Sequence, residues 1–231
     1  MSRVIVACAD GAYRSRTAVE WAAYEASLRD LPLGMVYGAP PDDLSTVAML
    51  VLGLSTAEED PAGQALGPTA YALAAAAACP VVLVPDDPVP SAVPVRRTSQ
   101  VTLGVDARHP AEQTVDFAFA AAHARNVRLH AVHAWELPSC AAELPFGIPE
   151  EDRGSWEDHE VQLLADALRP WRAKYPRVPV LEDVALLSPV EALVHHAQGA
   201  ALVVVGHGSG GGVGLAQALL REARCPVAIV P

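Results

Sequence analysis

The chain of 231 residues has no apolar run long enough to cross a bilayer, which takes about 20 consecutive apolar residues. Basic residues are few: 16 Lys and Arg stand against 27 Asp and Glu, a formal net charge of −11. That balance opposes nonspecific nucleic-acid binding and attachment to anionic membranes, since both need basic patches. Neither nucleic acid nor membrane is expected as a partner. Cysteine is scarce, and Cys8, Cys79, Cys140 and Cys225 lack metal-type spacing. They read as reduced thiols of a cytoplasmic protein rather than a disulfide framework. Met1-Ser2-Arg3 passes straight into Val4-Ile5-Val6-Ala7, without a long apolar stretch before a cleavage site, so no secretory leader is expected. No Gly-Lys-Ser/Thr occurs, which excludes a P-loop.

What is present points to a folded α/β chain. Hydrophobic residues make up 52% and charged ones 19%, which rules out disorder. The length suits one large or two small domains. An internal repeat is visible. Ala78-Cys79-Pro80-Val81-Val82-Leu83-Val84-Pro85 matches Arg224-Cys225-Pro226-Val227-Ala228-Ile229-Val230-Pro231. Ala48 to Gly53 matches Ala201 to Gly206, and Ile5 to Asp10 matches Thr102 to Asp106. The copies are unequal, the first lacking a helix, a strand and a helix in its middle. The expected division is 1–88, a proline-rich linker at 89–98, and 99–231.

The second part reads strand (Gln100 to Val105), helix (Ala111 to Arg125), strand (Arg128 to Trp135) and a loop from Leu137 to Arg153. A helix then runs from Ser155 to Tyr175, with Ser155 as N-cap and Pro170 bending or ending it. A strand follows at Val178 to Ala185. Ser188-Pro189-Val190-Glu191 is a capped helix start. Ala201 to Val205 is a strand that enters a glycine-rich loop, Gly206 to Gly214, before a last helix and strand. Strands alternating with helices imply a doubly wound parallel sheet with helices on both faces. Strand, glycine loop and helix together present backbone N–H groups to an anion. Asp106, ending the first strand of this part, lies where open α/β sheets bind ligands.

Other chemistry reads weakly. Gly206, Gly208 and Gly211 fit a dinucleotide fingerprint, but no acidic strand residue follows about 20 positions later. Ser209 follows His207-Gly208 where a nucleophile elbow needs glycine two positions before, and no His or Asp comes after it to complete a triad. His130 and His133, three apart on a strand, face opposite sides. His195 and His196 diverge by about 100° on a helix. No metal site is expected, and the chain reads as non-catalytic.

Taken together these residues resemble the universal stress protein family in its tandem form, over nearly the whole chain. Ala9-Asp10-Gly11-Ala12 with Ser15 to Ala22 looks like the family's first strand and helix, as does Gly104-Val105-Asp106. His130 to Trp135 looks like its second strand, Pro189 to Gly206 its third helix and fourth strand, and Gln217 to Leu220 with Cys225-Pro226-Val227 its close. The resemblance implies two tandem Rossmann-like domains (adenine-nucleotide α-hydrolase-like) and dimerisation through the last strand. A homodimer and regulatory protein partners are therefore expected. It also implies the adenine-nucleotide site that some members carry, for ATP or another adenine nucleotide. Asp106 with Ala107 would end the first strand, and Val132 would meet the base. Gly206, His207, Gly208, Ser209, Gly210, Gly211, Gly212 and Gly214 would hold the phosphates. The family's pattern is Gly, two residues, Gly, nine residues, Gly, then Ser or Thr. Here Ser209 takes the second glycine's place, and Leu215 follows Gly214 where a hydroxyl is required. In the first part, Glu58-Glu59-Asp60 lies within the corresponding loop, and like charges there oppose a triphosphate. That half is read as not binding nucleotide. The alternative for the whole chain is a regulatory or structural dimer without the phosphate site.

Overall fold

The structure, a computed structural model, describes residues 3–9, 15–37, 41, 43–54, 68–85, 100–137, 150–198, 200–207, 212–222 and 225–231. Asp10, Glu58 to Asp60, the linker at 89–98, Cys140, Gly199 and Gly208 to Gly211 lie outside them. The first elements are β1 (Val4–Ala9), α1 (Ser15–Arg29), β2 (Leu33–Tyr37), β3 (Val47–Leu54), α2 (Pro68–Ala76) and β4 (Val81–Pro85). After them come β5 (Gln100–Gly104), α3 (Glu112–Arg125), β6 (Arg128–Ala134), α4 (Glu150–Lys174) and β7 (Val180–Ala185). The chain closes with α5 (Pro189–Ala197), β8 (Leu202–Gly206), α6 (Gly212–Glu222) and β9 (Val227–Val230).

All nine described strands lie in one sheet, ordered β2-β1-β3-β4-β9-β8-β5-β6-β7. Neighbours are parallel except at one seam, where β4 meets β9 antiparallel with Val81 opposite Ile229 and Leu83 opposite Val227. The expectation of parallel sheets thus needs one amendment: the two parts are joined edge to edge in a single mixed sheet. The seam strands read VVLV and VAIV, and all eight residues are buried. An apolar edge of that kind is unstable in water and pairs where it can. On either side of the seam the order is alike. The later part runs β7-β6-β5-β8-β9, and the earlier part β2-β1-β3-β4 has one outer strand fewer.

Side chains alternate between two cores, as a pleated strand buried on both faces requires. Met49, Val51, Val82, Leu202 and Val204 face one layer with α1, α3 and α4, built on Ala22, Phe119, Leu164 and Leu168. Leu50, Leu52, Leu83, Val203 and Val205 face the other, with α2, α5 and α6, built on Ala74, Leu193, Ala216 and Leu219. Each of the large side chains is worth about 1.5–3 kcal/mol on full burial. α1 and α3 also touch across the seam. Glu25 of α1, fully buried, pairs with Arg125 of α3 and, at 2.5 Å, with Arg29 of its own helix.

Local signals explain most helix ends. At α5 the Ser188 hydroxyl accepts from the Glu191 N–H at 3.4 Å, and the Glu191 carboxylate accepts from the Ser188 N–H at 3.2 Å. Pro189 fills the first helical position, which needs no donor. α3 stops at Asn126, which takes the left-handed conformation (φ 52°) and donates to Ala122 and His123 carbonyls. α4 departs from the sequence reading. It begins at Glu150, not Ser155, so Ser155 lies inside the helix and the last residues of the expected loop, 150–153, are helical. Pro170 also sits within this helix, which continues to Lys174.

Candidate functional site

The sheet order changes direction at β5, which has β6 and β7 on one side and β8 and β9 on the other. Strand ends splay apart at such a point and leave a crevice. A cavity of about 570 Å³ opens there, at the ends of β5, β6 and β8. This lies within the about 300–1,000 Å³ usual for small-molecule sites. Asp106, Val132 and Gly206, which the resemblance assigns to a nucleotide, are among its lining residues. Ala107, His207 and Gly214 are not among its lining residues. Ala107 is buried and donates its N–H to His133 Nδ1 at 3.3 Å. His207 is exposed, with its N–H on the Val230 carbonyl at 2.7 Å. Gly212 and Gly214 open α6, and nothing lies within 4 Å of where a Gly214 side chain would begin.

Two glycines shape the cavity through close approach. A methyl group on Gly104 would lie 2.6 Å from Leu193 Cδ1, so glycine there lets α5 settle against β5. A methyl group on Gly206 would lie 3.1 Å from Thr114 Oγ1, so glycine lets the first turn of α3 close on β8. Leu193 and Thr114 both line the cavity. Asp106 braces the turn that leads into α3. Its carboxylate accepts the Arg108 N–H at 2.9 Å and lies 3.3 Å from His109 Nδ1. Burial alone would raise the Asp106 carboxyl. The Arg108 N–H and the His109 ring outweigh it and hold the carboxyl below its usual value.

Several lining groups were not singled out by sequence as site residues. His133 is buried and supports the Asp106 turn from beneath, its Nδ1 3.1 Å from the Val105 carbonyl. Its Nε2 lies 3.1 Å from Glu160 of α4, a buried carboxylate whose other oxygen takes the Arg108 guanidinium. Trp135 is buried and also forms part of the cavity wall. Trp135 Nε1 and Thr114 Oγ1 are buried without a hydrogen-bond partner among the described residues. A histidine on β6, a glutamate on α4 and a threonine on α3 come together only in the folded sheet. No spacing along the chain announces them.

The sequence profile of the universal stress protein family matches residues 98–231, more than half of the chain. A universal stress protein of Mycobacterium bovis is 35% identical over 187 residues, 78% of this chain and 61% of its own length. The chain belongs to the universal stress protein family. It spans about three-fifths of the length of that relative. The α/β fold is shared with a universal stress protein from Archaeoglobus fulgidus, at 11% identity, with a TM-score of 0.61 over 98% of this chain and 95% of that one. A universal stress protein solved in complex with cAMP is 22% identical over 58% of this chain and 97% of its own, with a TM-score of 0.41. No helix among the described residues is long and apolar enough to cross a membrane.

Proposed function

We propose that this chain is a non-catalytic universal stress protein module that binds an adenine nucleotide in the cavity beside β5. The binding part is 99–231, with 1–88 a shortened companion domain and 89–98 the linker between them. The observation that carries the reading is that Asp106 and Gly206, a hundred positions apart, line one cavity of about 570 Å³ at the switch in strand order. Asp106 is more than half exposed and presents a carboxylate to ribose hydroxyls. The N-terminus of α6 lies beyond Gly206, and such a terminus favours phosphate. The non-catalytic part of the reading rests on His133. Both its ring nitrogens already face partners, Val105 and Ala107 on one side and Glu160 on the other, which makes it a brace rather than a free base.

Equilibrium dialysis of labelled ATP against the full chain tests this. Saturable binding, weakened about tenfold by Asp106→Ala, a loss of about 1.4 kcal/mol, supports it. No saturation would leave the second reading, and equal binding by the variant would put the nucleotide away from Asp106. That reading is a regulatory or structural module without nucleotide. It is favoured by Asp106 already being engaged with Arg108 and His109.

A homodimer belongs to the proposal, together with regulatory protein partners and a cytoplasmic location. β9 lies between β8 and β4 within one chain, so self-association would use another surface than the last strand. Among the described residues the open edges are β2 and β7. Tyr37 and Met35 of β2 are exposed there. Sedimentation of the purified chain over a range of concentrations reads its oligomeric state directly.

A further inference from the structure

On the sheet face that carries α5, away from the cavity lining, three metal-binding side chains converge. His130 of β6 and Asp183 of β7 sit on neighbouring strands, and His196 comes from the last turn of α5. His130 Nε2 is 3.4 Å from Asp183 Oδ2, and His196 Nε2 is 3.3 Å from the same oxygen. All three donor atoms lie within 4.8 Å of one another. In a tetrahedral zinc site with bonds of about 2.0–2.2 Å, neighbouring ligand atoms are about 3.3 Å apart. Two of the three separations already have that value. The rings meet edge to face, with centroids 4.8 Å apart, so closing the third requires only that the partly exposed His196 turn.

We propose that His130, Asp183 and His196 bind one divalent transition-metal ion of the zinc class. Two imidazoles and one carboxylate favour Zn²⁺ or Co²⁺ over Mg²⁺ or Ca²⁺, which prefer all-oxygen shells. Solvent reaches the site through Asp183, whose side chain is 38% exposed. The ion staples the edge strand β7 and the end of α5 to β6. It stabilises the fold by mass action, because the unfolded chain holds no such arrangement.

Gln100 sets the strength of the site. Its Oε1 accepts from Arg128 Nε at 3.0 Å and Nη2 at 2.7 Å. Those two bonds direct its NH₂ toward His130 Nδ1 at 3.3 Å and the His196 carbonyl at 3.4 Å. In this state Nδ1 accepts, and the His130 proton sits on Nε2, facing Asp183. Metal binding to Nε2 moves that proton to Nδ1, which then needs an acceptor. Gln100 can supply one only by turning its amide away from Arg128. A glutamate there would serve both neighbours at once, one oxygen for Arg128 and one for His130 Nδ1–H. Such a carboxylate behind a metal-bound histidine is worth about 10–100-fold in affinity. Thr102 Oγ1, 3.3 Å from the His196 carbonyl, keeps that carbonyl satisfied.

The test uses the tag-free chain stripped with chelator. Calorimetric titration with ZnCl₂ reads stoichiometry and affinity, and CoCl₂ reads geometry through its visible absorption. The expected result is one ion per chain with tetrahedral Co²⁺ bands, weakened at least about tenfold by Asp183→Asn and by His196→Gln. Gln100→Glu tightens binding by about ten- to a hundredfold. Both weakening changes are at partly exposed positions and leave the circular dichroism unchanged. Binding of no ion, or equal binding by wild type and both weakened variants, overturns the proposal. So does a Gln100→Glu variant no tighter than wild type. None of the three ligands lines the nucleotide cavity, so this result is independent of ATP binding.

Discussion

The carboxylate of Glu25 on α1 and the guanidinium of Arg125 on α3 form a buried ion pair across a hundred residues of sequence. Glu25 is completely out of solvent, and Arg29 joins it from the same helix while stacking over Phe117, 4.8 Å from the ring centroid. Removing one member of a buried pair leaves the other charge without compensation, at about 3–5 kcal/mol. Glu25→Leu leaves both Arg125 and Arg29 unpaired and should therefore cost about that much in urea-induced unfolding, whereas Arg125→Met, which leaves Arg29 on the Glu25 carboxylate, should cost less. Adding Arg125→Met to Glu25→Leu should recover part of the loss, since it removes the buried arginine, while Arg29 is partly exposed and can reach solvent. If the double variant is as unstable as the sum of the single ones, the pair does not act as a unit.

The described cysteines are free thiols and differ in access. Burial pushes the Cys225 thiol up to about 12 and raises Cys79 and Cys8 as well. At pH 8 a thiol of that acidity is ionised to about one part in ten thousand, and only the thiolate reacts. With Cys140 replaced by Ser, iodoacetamide should label partly buried Cys8 first and Cys225 last, while urea-unfolded chain labels evenly. Site-resolved mass spectrometry follows the order. Native Cys225 reacting as fast as in urea would contradict its placement at the start of β9.

Much of this was legible because it is local. The β4, β8 and β9 segments are short continuous apolar runs, and both faces of each strand are buried. The α5 start was legible because a capping box is written in four consecutive residues. Ser155 carried the same kind of signal and was misleading. α4 begins at Glu150 instead, since a cap signal at one position does not stop a helix from extending upstream. The seam between β4 and β9 could not be read, since two matching last strands specify apolar edges but not each other. Asp106 and Gly206 were legible as strand ends. Thr114, Trp135 and the His133–Glu160 brace were not, because each depends on which elements the sheet order makes neighbours. His130 and His196 were assessed by their spacing to adjacent histidines, although the partner that matters, Asp183, lies on another strand.

The α5 capping box has a pH signature. The Ser188 hydroxyl and N–H hold the exposed Glu191 carboxyl below its usual value. A depressed carboxyl contributes stability above its unfolded-state value and loses it as pH falls through the folded one. Ser188→Ala should cost about 1 kcal/mol near neutral pH, the usual worth of an N-cap. The gap between variant and wild type should narrow as the medium becomes acidic enough to protonate Glu191. Thermal melts of both proteins across that range measure it. A gap that widens on acidification would reverse the assignment.

Thr114 offers the sharpest link between stability and the cavity. Its hydroxyl is buried, bonded to nothing among the described residues, and lies against Gly206 on the cavity wall. A buried hydroxyl without a partner costs about 1–3 kcal/mol. Valine has nearly the same shape and no such group, so Thr114→Val should raise the unfolding free energy of the nucleotide-free protein by about 1 kcal/mol. Gly206→Ala should do the reverse, because its new methyl would press on Oγ1 from 3.1 Å and α3 would have to back away. Combined, the two changes should leave the protein less stable than their sum, since a valine methyl is bulkier than the hydroxyl it replaces and meets the alanine harder at the same contact. Urea titrations of the two single variants and the double variant decide this. Destabilisation by Thr114→Val would mean that the hydroxyl is satisfied in solution and that the wall is built differently.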